Sequence, residues 1–175
     1  MSYLDQVFHG IISYFILSNN QLKNISLMTE GLRMHSPSIS SSRECTEDFT
    51  LHGRNGEKVL VEKGIPVLIP THQFHYDPQY YPEPNKFSPE RFDAENGGIK
   101  AFKDKGVYLP FGDGPRICLG MKFALLQSKA AIAAIVKNFE ISVNAKTQEP
   151  LIIDPNEFLN YKVGGLWLDF KAMSE

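Results

Sequence analysis

The chain has 175 residues, 42% apolar and 22% charged, with a formal net charge of −2. That is enough for one folded domain with a core, and it argues against disorder along the whole length. No basic excess speaks for a nucleic-acid partner, and two cysteines cannot build a disulfide scaffold or a four-thiolate zinc site.

The first apolar run, Phe8 to Leu17, is broken by His9, Gly10 and Ser13. It falls short of the roughly 20 apolar residues of a spanning helix. A basic start and a small-residue cleavage site are also missing, so no anchor or signal peptide is expected within the chain. Residues 1–36 read as helical in parts, stopped at Pro37. Asp48–Leu51 and Lys58–Val61 flank Asn55-Gly56 and read as a hairpin. Ile65–Pro70 reads as a short strand at an edge.

Residues 71–116 hold Pro78, Pro82, Pro84 and Pro89, which preclude a long helix. The aromatics among them (Phe74, Tyr76, Tyr80, Tyr81, Phe87, Phe92) predict a segment that packs rather than waves in solvent. Residues 119–139 carry the strongest helix signal. That helix is apolar on most of its circumference, which predicts burial in a larger body. In the tail, Tyr161–Val163 and Leu166–Phe170 around Gly164-Gly165 read as a second hairpin.

The chemistry-bearing stretch runs from Phe111 to Gly120. Cys118 lies just before the long helix, where unsatisfied amides favour a thiolate. Gly112, Gly114 and Gly120 remove side chains where the backbone must approach something flat and bulky. Arg116 keeps its charge and offers a planar fork to a carboxylate. A thiolate, a glycine-lined surface and an arginine together describe a haem site, with Cys118 on iron and Arg116 on a propionate.

The stretch matches Phe-x-x-Gly-x-Arg-x-Cys-x-Gly at every fixed position and resembles the cysteine loop of the cytochrome P-450 family of haem-thiolate enzymes. Glu30-Gly31-Leu32-Arg33 is similar to that family's Glu-x-x-Arg helix motif. Pro89-Glu90-Arg91-Phe92 is similar to its second arginine motif, with His75–Pro78 and Tyr81–Pro84 leading into it. The resemblance covers residues 28–170, and Arg43–Thr46 looks most like insect microsomal members. It implies a mainly α fold with small β-hairpins and sheets (α+β), the C-terminal part of the family fold on the proximal haem side. It implies a cofactor-binding set of Phe111, Gly112, Gly114, Arg116, Cys118 and Gly120, with Cys118 both catalytic and the axial ligand of haem iron. It also implies a buried structural cluster of Glu30, Arg33 and Arg91.

The implied reaction inserts one oxygen atom from O₂ into a small hydrophobic organic substrate. Electrons come from NADPH through a reductase, which Lys103, Lys105 and Lys122 would help dock. Ser36–Ser42 and Leu159–Gly164 would face substrate. Full-length members would sit in the endoplasmic reticulum membrane, held by an N-terminal part outside this sequence. The family's distal oxygen-activating pattern, Ala/Gly-Gly-x-Asp/Glu-Thr, does not occur here, so this chain alone is expected to be inactive. The competing expectations are an inactive truncation product, a haem-thiolate isomerase or dehydratase, and a haem sensor. Tyr3–Val7 resembles the residues that directly precede Met28-Thr29-Glu30 in the family. The intervening residues 8–27 hold no acidic residue, and Ile, Asn, Phe, Tyr and Lys make up about half of them. They are read as an insertion from a retained intron or a faulty gene model.

His72, His75 and Asp77 form a feeble metal motif. Cys45 reads as a small structural residue, and Asp113 and Lys122 as solvated.

Overall fold

A computed structural model describes residues 21–157 and 159–173. Most of the segment 8–27 therefore lies outside the described residues. Helix α1 (Gln21–Met34) opens the described chain. Its buried residues Ser26, Leu27, Thr29, Glu30, Arg33 and Met34 recur at helical spacing and form one broad face. Arg33 in the last turn complements the helix dipole. The amide of His35 closes that turn on the Gly31 carbonyl, and Pro37 follows.

Three two-stranded antiparallel sheets follow among the described residues. Strand β1 (Ser41–Glu44) pairs with β4 (Pro66–Ile69), in register Ser41 to Ile69. Between them β2 (Phe49–His52) and β3 (Lys58–Val61) form the expected hairpin, its turn holding Gly56 at φ 81°. Strand β1 has no signal of its own in the residues. Its residues Ser-Ser-Arg-Glu lack strand character, and only the partner strand β4 makes them one.

The proline-rich segment contains only short helices, α2 (Thr71–His75) and α3 (Gly98–Lys103), with 3₁₀ turns at Pro89–Phe92, Ala94–Asn96 and Gly114–Arg116. The core lies here: Tyr81, Phe92, Val107 and Tyr108 are buried, with Tyr80, Ile99 and Phe102 packed against them. The Tyr81 and Phe102 rings stack at 4.9 Å, and Phe92 tilts against Phe102 at the same distance. Ring pairs of this kind add about 0.5–1.5 kcal/mol each beyond area burial. Buried tyrosine hydroxyls need acceptors and find them. Tyr108 donates to the Thr29 carbonyl at 3.2 Å, and Tyr81 to the Val107 carbonyl at 3.1 Å.

Helix α4 (Met121–Asn138) runs directly into β5 (Phe139–Val143). Of its side chains only Val136 is buried, while Phe123 and Leu126 are about 70% exposed. The burial expected of this apolar helix is not provided by the described residues. Strand β6 (Leu168–Ala172) pairs with β5, not with residues 161–163. This corrects the second hairpin. Gly164-Gly165 does turn, with the Gly165 amide on the Lys162 carbonyl, but Lys162 bridges to Ile153 instead. Strand β5 offers a full five-residue register, from Phe139–Ala172 to Val143–Leu168, and takes the last strand. Among the described residues no helix is long and apolar enough to cross a membrane.

Candidate functional site

Glu30 and Arg33 are one helical turn apart and both fully buried. Arg33 grips the carboxylate as a fork, with Nε to Oε2 at 2.7 Å and Nη2 to Oε1 at 2.9 Å. The same Oε1 accepts Arg91 Nε at 3.1 Å and the Ser88 amide at 3.0 Å. One carboxylate thus faces two guanidinium charges. Carbonyl oxygens absorb the remainder. Arg33 also donates to the carbonyls of His75 (2.7 Å) and Pro84 (2.8 Å), and Arg91 to that of Pro82 (3.1 Å). Tyr76 and Tyr81 rings lie 5.4 and 5.2 Å from the Arg33 guanidinium carbon. The three residues expected to cluster therefore do so, and they tie α1 to the proline-rich segment.

From this cluster the contacts lead to the cysteine loop. His75 is fully buried, and its Nε2 accepts the Leu109 amide at 2.9 Å. The Gly112 amide donates to the Leu109 carbonyl, and the Cys118 amide to the Phe111 carbonyl at 2.8 Å. Gly112 and Gly114 stand at φ 71° and 70°, a conformation that side-chain-bearing residues avoid by about 1–2 kcal/mol. Gly120 differs: a Cβ there would lie 3.9 Å from Cys118 Sγ.

Cys118 is an exposed free thiol. The amides of Leu119, Gly120, Lys122 and Phe123 have no acceptor among the described residues, so the start of α4 presents unsatisfied donors beside it. Arg116 is exposed and makes no ion pair among the described residues. Ile117, Leu119, Phe123 and Leu126 are exposed apolar side chains around the sulfur's position in the chain. Between α1 and α4 lies a cavity of about 110 Å³, lined by Met28, Leu32, Ile99, Tyr108, Phe111 and Met121.

The two stretches expected to face substrate meet each other. The Asn160 amide donates to the Pro37 carbonyl at 2.8 Å, and Asn160 Nδ2 to the Ser36 carbonyl at 3.0 Å. Lys103, Lys105 and Lys122 are exposed. Among the described residues no His, Cys, Asp and Glu group could hold a metal ion. Asp77 instead accepts the Gln79 amide, and half-buried Cys45 directs its thiol to the Glu47 carbonyl.

Burial holds the His75 imidazole down to a pKa of about 4, with the charges of Arg33 and His72 adding to the effect. His35 is also lowered to about 4, by burial and then by Lys162, Arg33 and His72. An unfolded imidazole takes its proton near pH 6.5, the folded ones only near 4. The unfolded chain thus binds more protons between these values, and stability falls as pH drops from 6.5 to 4. For His75 the loss is about 3 kcal/mol at the acid end. Urea midpoints across this range should fall in the wild type and fall less in His75→Gln.

The sequence places His75 in the family-like lead-in to Pro89–Phe92 and in a weak metal motif, and in neither does it mark the bond to Leu109. Its only signal was its place in the His75–Pro78 stretch, which does not reveal a partner at Leu109.

A sequence model described as Cytochrome P450 matches residues 25–168. The chain is 48% identical over 141 residues to "Probable cytochrome P450 28d1" of Drosophila melanogaster, covering 81% of this chain and 28% of that protein. It is 41% identical over 143 residues to "Cytochrome P450 9e2" of Blattella germanica, covering 81% and 26%. It is 42% identical over 125 residues to "Cytochrome P450 3A31" of Mesocricetus auratus, covering 71% and 23%. The chain thus spans less than a third of the length of these relatives.

Proposed function

The chain belongs to the cytochrome P450 family, and on that footing we propose that it supplies the thiolate side of the haem site of a monooxygenase. Members of this family use haem. The observation that carries the proposal is the free, exposed Cys118 in a glycine-bent loop at the start of α4, next to Arg116, which has no ion pair among the described residues.

The residues fit the group. A sulfur is a soft ligand for iron, and unsatisfied amides favour its anionic form. An uncommitted guanidinium suits a propionate, and uncovered apolar side chains suit a flat macrocycle. In this reading Cys118 would hold the haem iron through its thiolate. Phe111, Gly112, Gly114, Arg116 and Gly120 form the cofactor-binding loop, and Glu30, Arg33 and Arg91 hold the segment beneath it. When bound, haem supplies the iron at which O₂ is activated. Cys118 would donate electron density to that iron, and the amides beyond it would temper the donation.

The substrate class is a small hydrophobic organic molecule, and the electron source is NADPH through a reductase docked near Lys103, Lys105 and Lys122. Longer members would be held in the endoplasmic reticulum membrane. Residues 8–27 are an insertion in this proposal. A mature transcript that carries their codons at high abundance would count against that part.

The test is to load the full chain with haemin, reduce it and add CO. A thiolate-type Soret band is expected; failure to retain haem would favour an inactive truncation product. Turnover with NADPH and reductase is expected only when the distal residues are supplied by a longer chain.

A further inference from the structure

We propose that His75 is a positioning residue for the thiolate loop. Its Nε2 holds the Leu109 amide and so carries the register of the Glu30–Arg33 cluster to the segment ending in Cys118. The proposal rests on Cys118 as the iron ligand.

The path is continuous. Arg33, fixed by Glu30, donates to the His75 carbonyl at 2.7 Å. The His75 ring stacks on Tyr108 at 5.7 Å, and Tyr108 is itself tied to α1 through the Thr29 carbonyl. His75 Nε2 then accepts Leu109 N–H at 2.9 Å. Leu109 is the last residue before the loop that has an amide to offer, because Pro110 has none. Its carbonyl accepts the Gly112 amide, and the Phe111 carbonyl accepts that of Cys118. Both backbone groups of Leu109 are therefore bound, one inside the loop and one outside it. The imidazole is the outside anchor.

Packing alone does not account for an imidazole here. Since Nε2 accepts, the ring proton sits on Nδ1, and buried Nδ1 has no hydrogen-bond partner. An unsatisfied buried donor costs about 1–3 kcal/mol. A phenyl ring would fill similar space without that penalty, but it would strand the Leu109 amide. What histidine adds over phenylalanine is the acceptor at Nε2. Glutamine can present an acceptor at a similar reach.

Two readouts need no cofactor: the ¹⁵N signature of the His75 ring and the hydrogen exchange of the Leu109 amide, both in the full chain. The wild-type ring should be the neutral Nδ1–H tautomer, and an Nε2–H tautomer overturns the proposal. His75→Phe should lower Leu109 protection by about tenfold, the worth of one buried hydrogen bond. It should also move the haemin-loaded, CO-bound chain from the thiolate-type toward the thiol-type Soret band, and His75→Gln should restore both. Unchanged protection and band in His75→Phe, or equal loss in Phe and Gln variants, overturns it. If His75→Phe does not fold, the wild-type tautomer and the Gln variant decide. A wild type with the expected tautomer but no thiolate band would overturn the ligand assignment of Cys118 and leave the Leu109 contact standing.

Discussion

Replacing Glu30 by alanine should destabilise the fold by about 3–5 kcal/mol, a large part of the 5–15 kcal/mol typical of a domain. The reason is charge, not volume. Glu30 Oε1 alone accepts from Arg33, Arg91 and the Ser88 amide. Its removal leaves the Arg33 guanidinium buried at 0% exposure against neutral carbonyls and two tyrosine rings, with no counter-charge. Arg91, at 10% exposure, keeps bonds to the Pro82 and Lys86 carbonyls and a route to water. Arg91→Ala should therefore cost less than Arg33→Ala. The double variant Glu30→Ala/Arg33→Leu should cost less than the sum of its singles, because no unmatched charge remains at the centre. Urea unfolding of the four proteins measures this coupling. Strict additivity would show that the carboxylate and guanidinium do not act as a unit.

Cys118→Ala should abolish the thiolate-type Soret band while leaving the urea midpoint within about 0.5 kcal/mol of wild type. The two halves of this result have separate causes. The thiol is exposed and makes no hydrogen bond among the described residues, so the fold does not depend on it. As the proposed ligand it has no substitute, since the chain's other cysteine, Cys45, is engaged with the Glu47 carbonyl. Cys45→Ser is the control and should keep the band. A band that survives in Cys118→Ala would sink the ligand assignment.

Much of the candidate site was readable from the residues. The cysteine loop is a contiguous string, and its Gly112 and Gly114 take the left-handed backbone that only a local pattern needs to specify. Helical spacing allowed Glu30 and Arg33 to pair, and only the family resemblance implied their cluster with Arg91. Other features depend on pairings far apart in the chain. Ser41–Glu44 become a strand because Pro66–Ile69 lie beside them. Leu168–Ala172 leave their neighbours across Gly164-Gly165 for Phe139–Val143. Such choices are settled by competing partners, which periodicity does not rank. The role of His75 was equally illegible, because its meaning lies in one atom facing Leu109, 34 positions away.

The cavity between α1 and α4 divides the molecule into two kinds of material. On one side, α1 and the aromatic core interlock through buried rings and a charged cluster. On the other, α4 buries one side chain and faces α1 across open space. The cysteine loop is the seam between them, fastened to the dense side through Leu109 just before it and leading into the loose one through Gly120. Phe123 and Leu126, exposed on α4, can therefore be exchanged without touching the rings and ion pairs of the dense side.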